Sequence, residues 1–416
     1  MGDVALEDLC LLIVDSEHKT APKDPDGLHP LIRTTDLGRA RADLTGAQRV
    51  NSEVHSLWTK RAVPTVDDLI LAREAPVGGI FRIPNGEEPV LGQRTVLLRP
   101  DPSVVDSRFL MYRLASDDLQ ARMTEMSTGS TVPHLNMADI RAFPIPRIPP
   151  LSAQRRIAAV LSAFDTLIEI NERRIGLLED LARSLYREWF VHFRFQGHGT
   201  SRSVDSELSH IPDGWTSTVA SRIFDFNPRV VGRAGSYPKV TMGDVSTRFS
   251  HVLPSANASR PSGVKFEHGD VLMARITPSL ENGKTALVLF LEPKQVGIGS
   301  TELTVLRGSD VGPAFTYCAA RSQPFRDHAI KSMSGASGRQ RVANDCFDSL
   351  PVVRPAEEVA ALFESVVMPM LEEVFQLRLQ SDQLAATRDL LLPRLVTGQL
   401  DISDVDLGVL TPTDPE

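Results

Sequence analysis

The chain has 416 residues, 42% hydrophobic and 24% charged, an ordinary globular composition with room for two or three domains. Its net charge of −8 argues against unaided binding of nucleic acid, but residues 351–416 alone carry −8 while residues 201–350 carry +3, so one domain can still present a basic face. No apolar run reaches the roughly 18 residues of a membrane span, Asp3, Glu7 and Asp8 stand where a secretory leader would be basic, and Cys10, Cys318 and Cys346 are too scattered for a disulfide framework or zinc site; a cytoplasmic protein without a membrane partner is expected.

Residues 1–148 read as a mixed domain of short strands, with Leu31-Ile-Arg33, Leu69-Ile-Leu71, Gly79 to Ile83 and Thr95 to Leu98 bounded by Pro, Gly and Asp. A helix is predicted over Arg108–Met123, ahead of the polar loop Ser127–Thr131. Residues 149–196 follow as one long helix. With Leu161, Ile168, Ile175, Ala182 and Trp189 at heptad position a, Ile157, Phe164, Asn171, Leu178 and Leu185 fall at d, a coiled-coil seam with one polar interruption. Such a rod of about 38 residues would be roughly 57 Å long. Asn171 on the seam would fix register and pairing, unless the helix turns it to water.

Residues 197–352 form the next domain, and residues 353–400 a second long helix. There Phe363, Met370, Leu377, Leu384 and Leu391 keep the seven-residue step, with Val367, Val374 and Leu395 beside them. Pro369 and Pro393 are expected to kink this copy or fray its end. The acidic tail 401–416, past a helix-capping Gly398, has little to bury and is expected to be mobile.

The two halves share landmarks in order. Pro30 to Leu37, with Asp36, matches Pro238 to Val245, with Asp244; Asp68 to Arg73 and Pro76 match Asp270 to Arg275 and Pro278. Thr95 to Arg99 matches Thr304 to Arg307, Met126-Ser127 matches Met333-Ser334, and Phe143-Pro144 matches Leu350-Pro351, all at offsets between 202 and 209 residues. Unrelated domains would not keep so many landmarks at nearly one spacing, so the chain is a tandem duplication of domain plus helix.

No cluster supports catalysis. Gly283-Lys284-Thr285 ends like a phosphate loop, but Pro278 replaces the glycine such a loop needs. Asn227-Pro228 resembles the start of an amino-methyltransferase motif without its aromatic residue, and turn chemistry suits it better. His192 and His198, the closest histidine pair of interest, lack acidic or Cys neighbours at ligand spacing.

Several stretches carry a family resemblance. Pro149 to Ile157, Glu179 to Ala182 and Leu185 to Phe190 resemble the central region of the specificity subunits of type I restriction-modification systems. Leu390 to Leu400 resembles their closing segment, and Pro212-Asp-Gly-Trp215 is similar to the opening of their second recognition domain. The resemblance spans nearly the whole chain. It implies an α+β fold in which two tandem target-recognition domains are held apart by two long antiparallel coiled-coil helices, each domain reading one half of a split double-stranded DNA sequence. It also implies a subunit without catalysis or cofactors of its own. Two methyltransferase subunits would bind it and restriction subunits would join, with S-adenosylmethionine, ATP and Mg on those partners only. One departure is that the glutamine of the first helix lead-in, Gln154, has Val359 at its place in the second, so the two lead-ins need not act alike.

For DNA reading the useful side chains are Arg and Lys toward guanine, Asn and Gln toward adenine, and hydroxyls toward phosphate. His18, Lys19, Arg33, Arg73, Gln93, Arg94, Ser130 and Thr131 are the candidates in the first domain. Arg229, Lys239, Arg275, Ser300, Thr301, Arg339, Gln340 and Arg341 are those in the second. Each could instead be a solvated surface group, and Arg73 and Arg275, at matched positions, could share a structural ion pair. Tyr186, Trp189 and Phe190 at the end of the first rod would be either core or a docking site for a partner subunit. The competing reading is a duplicated coiled-coil scaffold for proteins, without sequence-specific DNA recognition.

Overall fold

A computed structural model describes residues 2–42, 44, 46–129, 132–195, 203–206, 209–231, 235–260, 262–336, 338–402 and 405. The tail expected to be mobile lies outside them from residue 403 onward, apart from Val405. The chain forms two compact units, Met1–Glu169 with Asp382–Glu416, and Ile170–Ser381, so each unit holds a part of both long helices.

In the first unit, four antiparallel strands lie in the order Cys10–Asp15, Thr95–Pro100, Leu69–Arg73 and Val77–Arg82. Leu69 to Ala72 is apolar without alternation because both faces of this sheet are covered. Leu69, Leu71, Val96 and Leu98 pack on Phe109, Tyr112 and Leu119 of two helices, while Ile70, Ala72 and Leu97 meet Ile32 and Leu91 of a second, smaller sheet. In that smaller sheet His29–Ile32 runs antiparallel to Gln48–Val50 and parallel to Val90–Leu91. The helix predicted over Arg108–Met123 is two helices, Ser107–Ala115 and Asp117–Met126. Ser116 between them is extended, at ψ 149°. Arg113 explains the break: 1% exposed, it donates to both Asp118 oxygens at 2.8 Å and to Ser116 Oγ at 2.6 Å, contacts that cross the break.

The second unit repeats this plan. Its large sheet runs Phe224–Phe226, Leu303–Gly308, Val271–Ala274 and Thr285–Leu287, the same order with the same antiparallel sense. Its smaller sheet centres on Tyr237–Val240, again parallel to one neighbour, Gly297–Gly299, and gains a fourth strand, Val264–Phe266. Two helices follow, Pro313–Arg321 and Gln323–Lys331, broken at Ser322.

A matched ion pair joins the two central strands of each large sheet at one end. Asp68, 2% exposed, takes two hydrogen bonds from Arg99 at 2.8 and 2.7 Å and one from the Thr65 amide. Asp270, 1% exposed, takes two from Arg307 at 2.7 and 2.8 Å and one from the Glu267 amide. Arg99 and Arg307, not Arg73 and Arg275, therefore make the shared structural pair; Arg275 donates instead to the Val342 carbonyl at 2.6 Å.

The long helices are Leu151–Tyr186, prolonged by a π-helical turn Arg187–Val191, and Glu357–Val396. Every predicted seam position on them is buried or half-buried. In the second unit Ile175 and Leu178 pack with Val374 and Leu377, Asn171 Nδ2 donates to Gln380 Oε1 at 3.1 Å, and Tyr186 meets Phe363. Rising numbers meet falling ones, so the helices run antiparallel there. Asn171 is thus a buried seam residue with a partner on the other helix. In the first unit Ile157 and Leu161 share a core with Leu392 and Leu395, and Asp165 accepts from both Arg388 and Tyr112. The second helix is continuous through Pro369 and ends at Val396, soon after Pro393. Val367 and Leu371, buried on either side of Pro369, hold the turn that lacks one hydrogen bond.

Asp270→Ala leaves Arg307 without its buried partner and is expected to destabilise the protein by about 3 kcal/mol, the low end for a broken buried pair because Arg307 is partly exposed. Urea unfolding followed by tryptophan fluorescence measures this; a loss below about 1 kcal/mol would show that the pair is not structural.

Candidate nucleic-acid interface

In the first unit three segments meet at one end of the Leu69–Arg73 strand. The Arg73 amide donates to the Arg94 carbonyl at 3.0 Å, and the Arg73 carbonyl accepts from the Leu135 amide at 2.9 Å. The turn carrying Gln93 and Arg94, both exposed, is thereby fixed beside the loop that Thr128 and His134 close with two backbone bonds of 2.9 Å. Ser130 and Thr131, in that loop, lie outside the described residues. Arg94 adopts φ 69°, and its Nε stands 3.3 Å from Glu74 Oε1.

The second unit builds the same junction. The Arg275 amide donates to the Glu302 carbonyl, and its carbonyl accepts from the Val342 amide. The loop Ser334–Arg341 closes with bonds of 3.1 and 2.9 Å and presents Arg339 at the surface. Gln340 is pinned by its backbone to Thr277, whose Oγ1 accepts at 3.1 Å. Ser300 and Thr301 form the turn before Leu303–Gly308. Arg341 grips Glu302 with Nε and Nη2, at 2.8 and 2.6 Å, and this pairing holds the Glu302 carboxyl below the usual range.

The remaining candidates sit on other segments, Arg33 against Gly92 beside the Gln93–Arg94 turn. His18 and Lys19 are exposed beyond the Cys10–Asp15 strand, with His18 Nε2 at 3.2 Å from Asp15. Arg33 leaves the small sheet and is held by Asp36, to Oδ1 at 2.6 Å and Oδ2 at 2.9 Å. Arg229 is exposed after the Phe224–Phe226 strand, and Lys239 is half-buried in the second small sheet. Asn227 serves a turn, its carboxamide accepting from the Val305 amide, and Lys284 donates to the Met242 carbonyl.

The sequence reading missed the carboxylates. Glu74 and Glu302 each hold an exposed arginine, Arg94 and Arg341, in a surface ion pair that water and salt screen. Their positions carry no sequence signal, because the partners are 20 and 39 residues apart.

Tyr186, Trp189 and Phe190 lie within the core of the second unit: Phe190 packs on Phe315 at 4.7 Å and Phe363 at 4.9 Å, and Trp189 on Phe363 at 5.7 Å. On the same helix and its π-helical turn, Ile170, Leu177, Leu181 and Val191 are exposed. Gln154, 1% exposed, accepts from the Asp106 amide and donates to the Val104 and Pro149 carbonyls. The second copy solves the same problem differently, with Glu364 accepting from the Ala314 and Phe315 amides at the start of a helix.

Residues 7–180 match the family model described as the type I restriction modification DNA specificity domain. Over 351 residues the chain is 23% identical to the type I restriction enzyme MjaIX specificity subunit of Methanocaldococcus jannaschii, covering 81% of this chain and 78% of that one. It is 31% identical over 161 residues to the EcoAI specificity subunit of Escherichia coli, covering 37% of this chain and 27% of the relative. In fold it is similar to the crystal structure of the type I restriction-modification S subunit from M. genitalium, with a TM-score of 0.61 at 15% identity over 94% of this chain and 95% of the other.

Proposed function

Since the chain belongs to the DNA specificity subunits of type I restriction-modification systems, a non-catalytic component, we propose that its two duplicated junctions each read one half of a bipartite target. The observation that carries this reading is the repetition of one polar edge: a strand end, a turn and a closed loop bring Arg73, Gln93 and Arg94 together in one unit and Arg275, Arg339, Gln340 and Arg341 in the other. Arginines at such an edge can bind guanine O6 and N7, and glutamines the adenine edge, while the loop amides and hydroxyls take phosphates. His18, Lys19, Arg33, Arg229 and Lys239 would add backbone contacts. The paired helices act as the spacer between half-sites, and exposed Ile170, Leu177 and Leu181 offer a methyltransferase subunit an apolar docking stripe. S-adenosylmethionine, ATP and Mg would belong to the methyltransferase and restriction subunits. Among the described residues no helix is long and apolar enough to cross a membrane, and the cytoplasm is the compartment proposed for the complex.

The net charge of −8 favours a second reading, a scaffold for proteins alone. Salt separates the two, since phosphate contacts release counterions and protein contacts mostly do not. The direct experiment is co-expression with a cognate methyltransferase subunit and sequencing of modified bases: methylated adenines on both strands of one split motif are expected. A stable complex that adds no methylation would favour the scaffold.

Two variants refine the test. Arg339→Ala or Gln340→Ala is expected to relax one half-site only, at about 1–3 kcal/mol if the lost contact is to a base edge; uniform weakening on all sequences would make it a phosphate contact. Removing one heptad from each long helix, about 10 Å, is expected to change the preferred gap by about 3 base pairs and leave the half-sites unchanged. An unaltered gap would refute the spacer role.

A further inference from the structure

The smaller sheets of the two units differ at one pair of matched positions. Strand register equates Leu31 and Ile32 with Lys239 and Val240, and Val90 and Leu91 with Ile298 and Gly299. His29 therefore corresponds to Tyr237, and Glu88 to Val296. In the second unit Tyr237 and Val296 are buried together with Val230 and Ile298, an ordinary apolar cluster. The first unit places two ionisable groups there and brings His55 to them.

His29 and His55 stack with ring centroids 4.0 Å apart and planes 21° from parallel. His55 sits on the short helix Ser52–Trp58, which Asn51 caps through the Val54 amide, and Val54 packs with Leu31, Val50 and Val90. His55 Nε2 is shielded from solvent and has no hydrogen-bond partner among the described residues. A buried ring nitrogen with nothing to bind is costly in a fold that uses an apolar cluster at the matched place. One nitrogen of each ring and a Glu88 carboxylate oxygen all lie within 4.8 Å of one another.

We propose that His29, His55 and Glu88 form a binding site for a divalent transition-metal ion of the zinc class, with a fourth position open to water. Two nitrogens and one carboxylate are a zinc donor set, and ligands on one tetrahedral zinc stand about 3.4 Å apart for bonds of about 2.0–2.1 Å. His29 Nδ1 and Glu88 Oε2 are already 3.7 Å apart. His29 Nδ1 stands 3.1 Å from the Glu88 carbonyl, which only accepts, so Nδ1 carries the proton there; binding the ion would move that proton to Nε2, 3.3 Å from a Ser52 Oγ able to accept it. The His55 ring must turn out of its stack on His29 so that both ring planes contain the ion, and the Glu88 side chain, 69% exposed, is free to swing by the remaining distance and leaves the coordination sphere open on the solvent side. The ion would tie together a strand, a helix and a turn, next to the segment that carries Arg33.

The test uses the full chain, stripped with chelator and dialysed against micromolar zinc chloride. One zinc per chain is expected. Glu88→Gln and His55→Gln are each expected to weaken binding by about tenfold or more, and zinc is expected to raise the thermal midpoint of the parent chain only. Cobalt(II) at the same site would give the visible absorption of a tetrahedral complex, erased by zinc. Should His55→Gln fail to fold, Glu88→Gln remains informative, because its side chain lies at the surface. Binding well below one zinc per chain, or equal binding by the parent and the His55→Gln, Glu88→Gln double variant, would overturn the proposal.

Discussion

The first unit of this protein is completed by a helix segment that lies far from it in sequence. Ile157 and Leu161 of the first helix have their partners in Leu392, Leu395 and Val396, so the core of the first unit closes only when the chain is nearly finished. The second unit is one continuous segment, and its core takes Phe363, Val367 and Leu371 of the second long helix beside Tyr186 and Phe190 of the first. An isolated amphipathic helix gains little from its own hydrogen bonds and takes its stability from burying its apolar face. The two helices are long because each serves both units. The seam also carries its own register marks, Asn171 with Gln380 in one unit and Asp165 with Arg388 in the other, and partly buried polar pairs of this kind penalise a slipped alignment.

On this shared frame the two units keep what the backbone requires and change what it does not. The Asp68–Arg99 and Asp270–Arg307 pairs recur with the same fork geometry, because a buried carboxylate needs its remaining lone pairs satisfied and the sheet offers one place to do so. The start of the helix after the large sheet is served by Gln154 in one unit and by Glu364 in the other, a neutral and an acidic answer to unpaired amides. The smaller sheet diverges more, gaining a strand in the second unit and the histidine pair in the first.

The heptads were legible because their period is local, and the duplication because its landmarks keep one offset. What depended on contacts between distant residues was not. Arg73 and Arg275 stood out by position, but their strand ends turn toward loops, and the carboxylates took Arg99 and Arg307 one strand over. The break at Ser116 needs Arg113 and Asp118 to fold back on each other, which helical periodicity alone does not reveal. Pro369 sits inside a continuous helix with Val367 and Leu371 buried on either side, packing that no local propensity reveals. His29, His55 and Glu88 are 26 and 33 residues apart, far outside any spacing by which neighbouring ligands are recognised.

The exposed arginines raise a question of sign that the total charge cannot answer. An acidic chain repels DNA at long range, yet Arg94 and Arg341 each stand at a junction whose loop and turn are fixed by backbone bonds. Their carboxylate partners offset that positive charge in the free protein. On the proposed reading, a phosphate or a base edge would have to displace Glu74 or Glu302 to be bound. Surface ion pairs are weak and screened by salt, whereas a well-aligned bidentate contact to guanine discriminates between bases by about 1–3 kcal/mol. Sequence preference at such a junction would therefore come from the geometry of the base contact, not from the net charge of the chain.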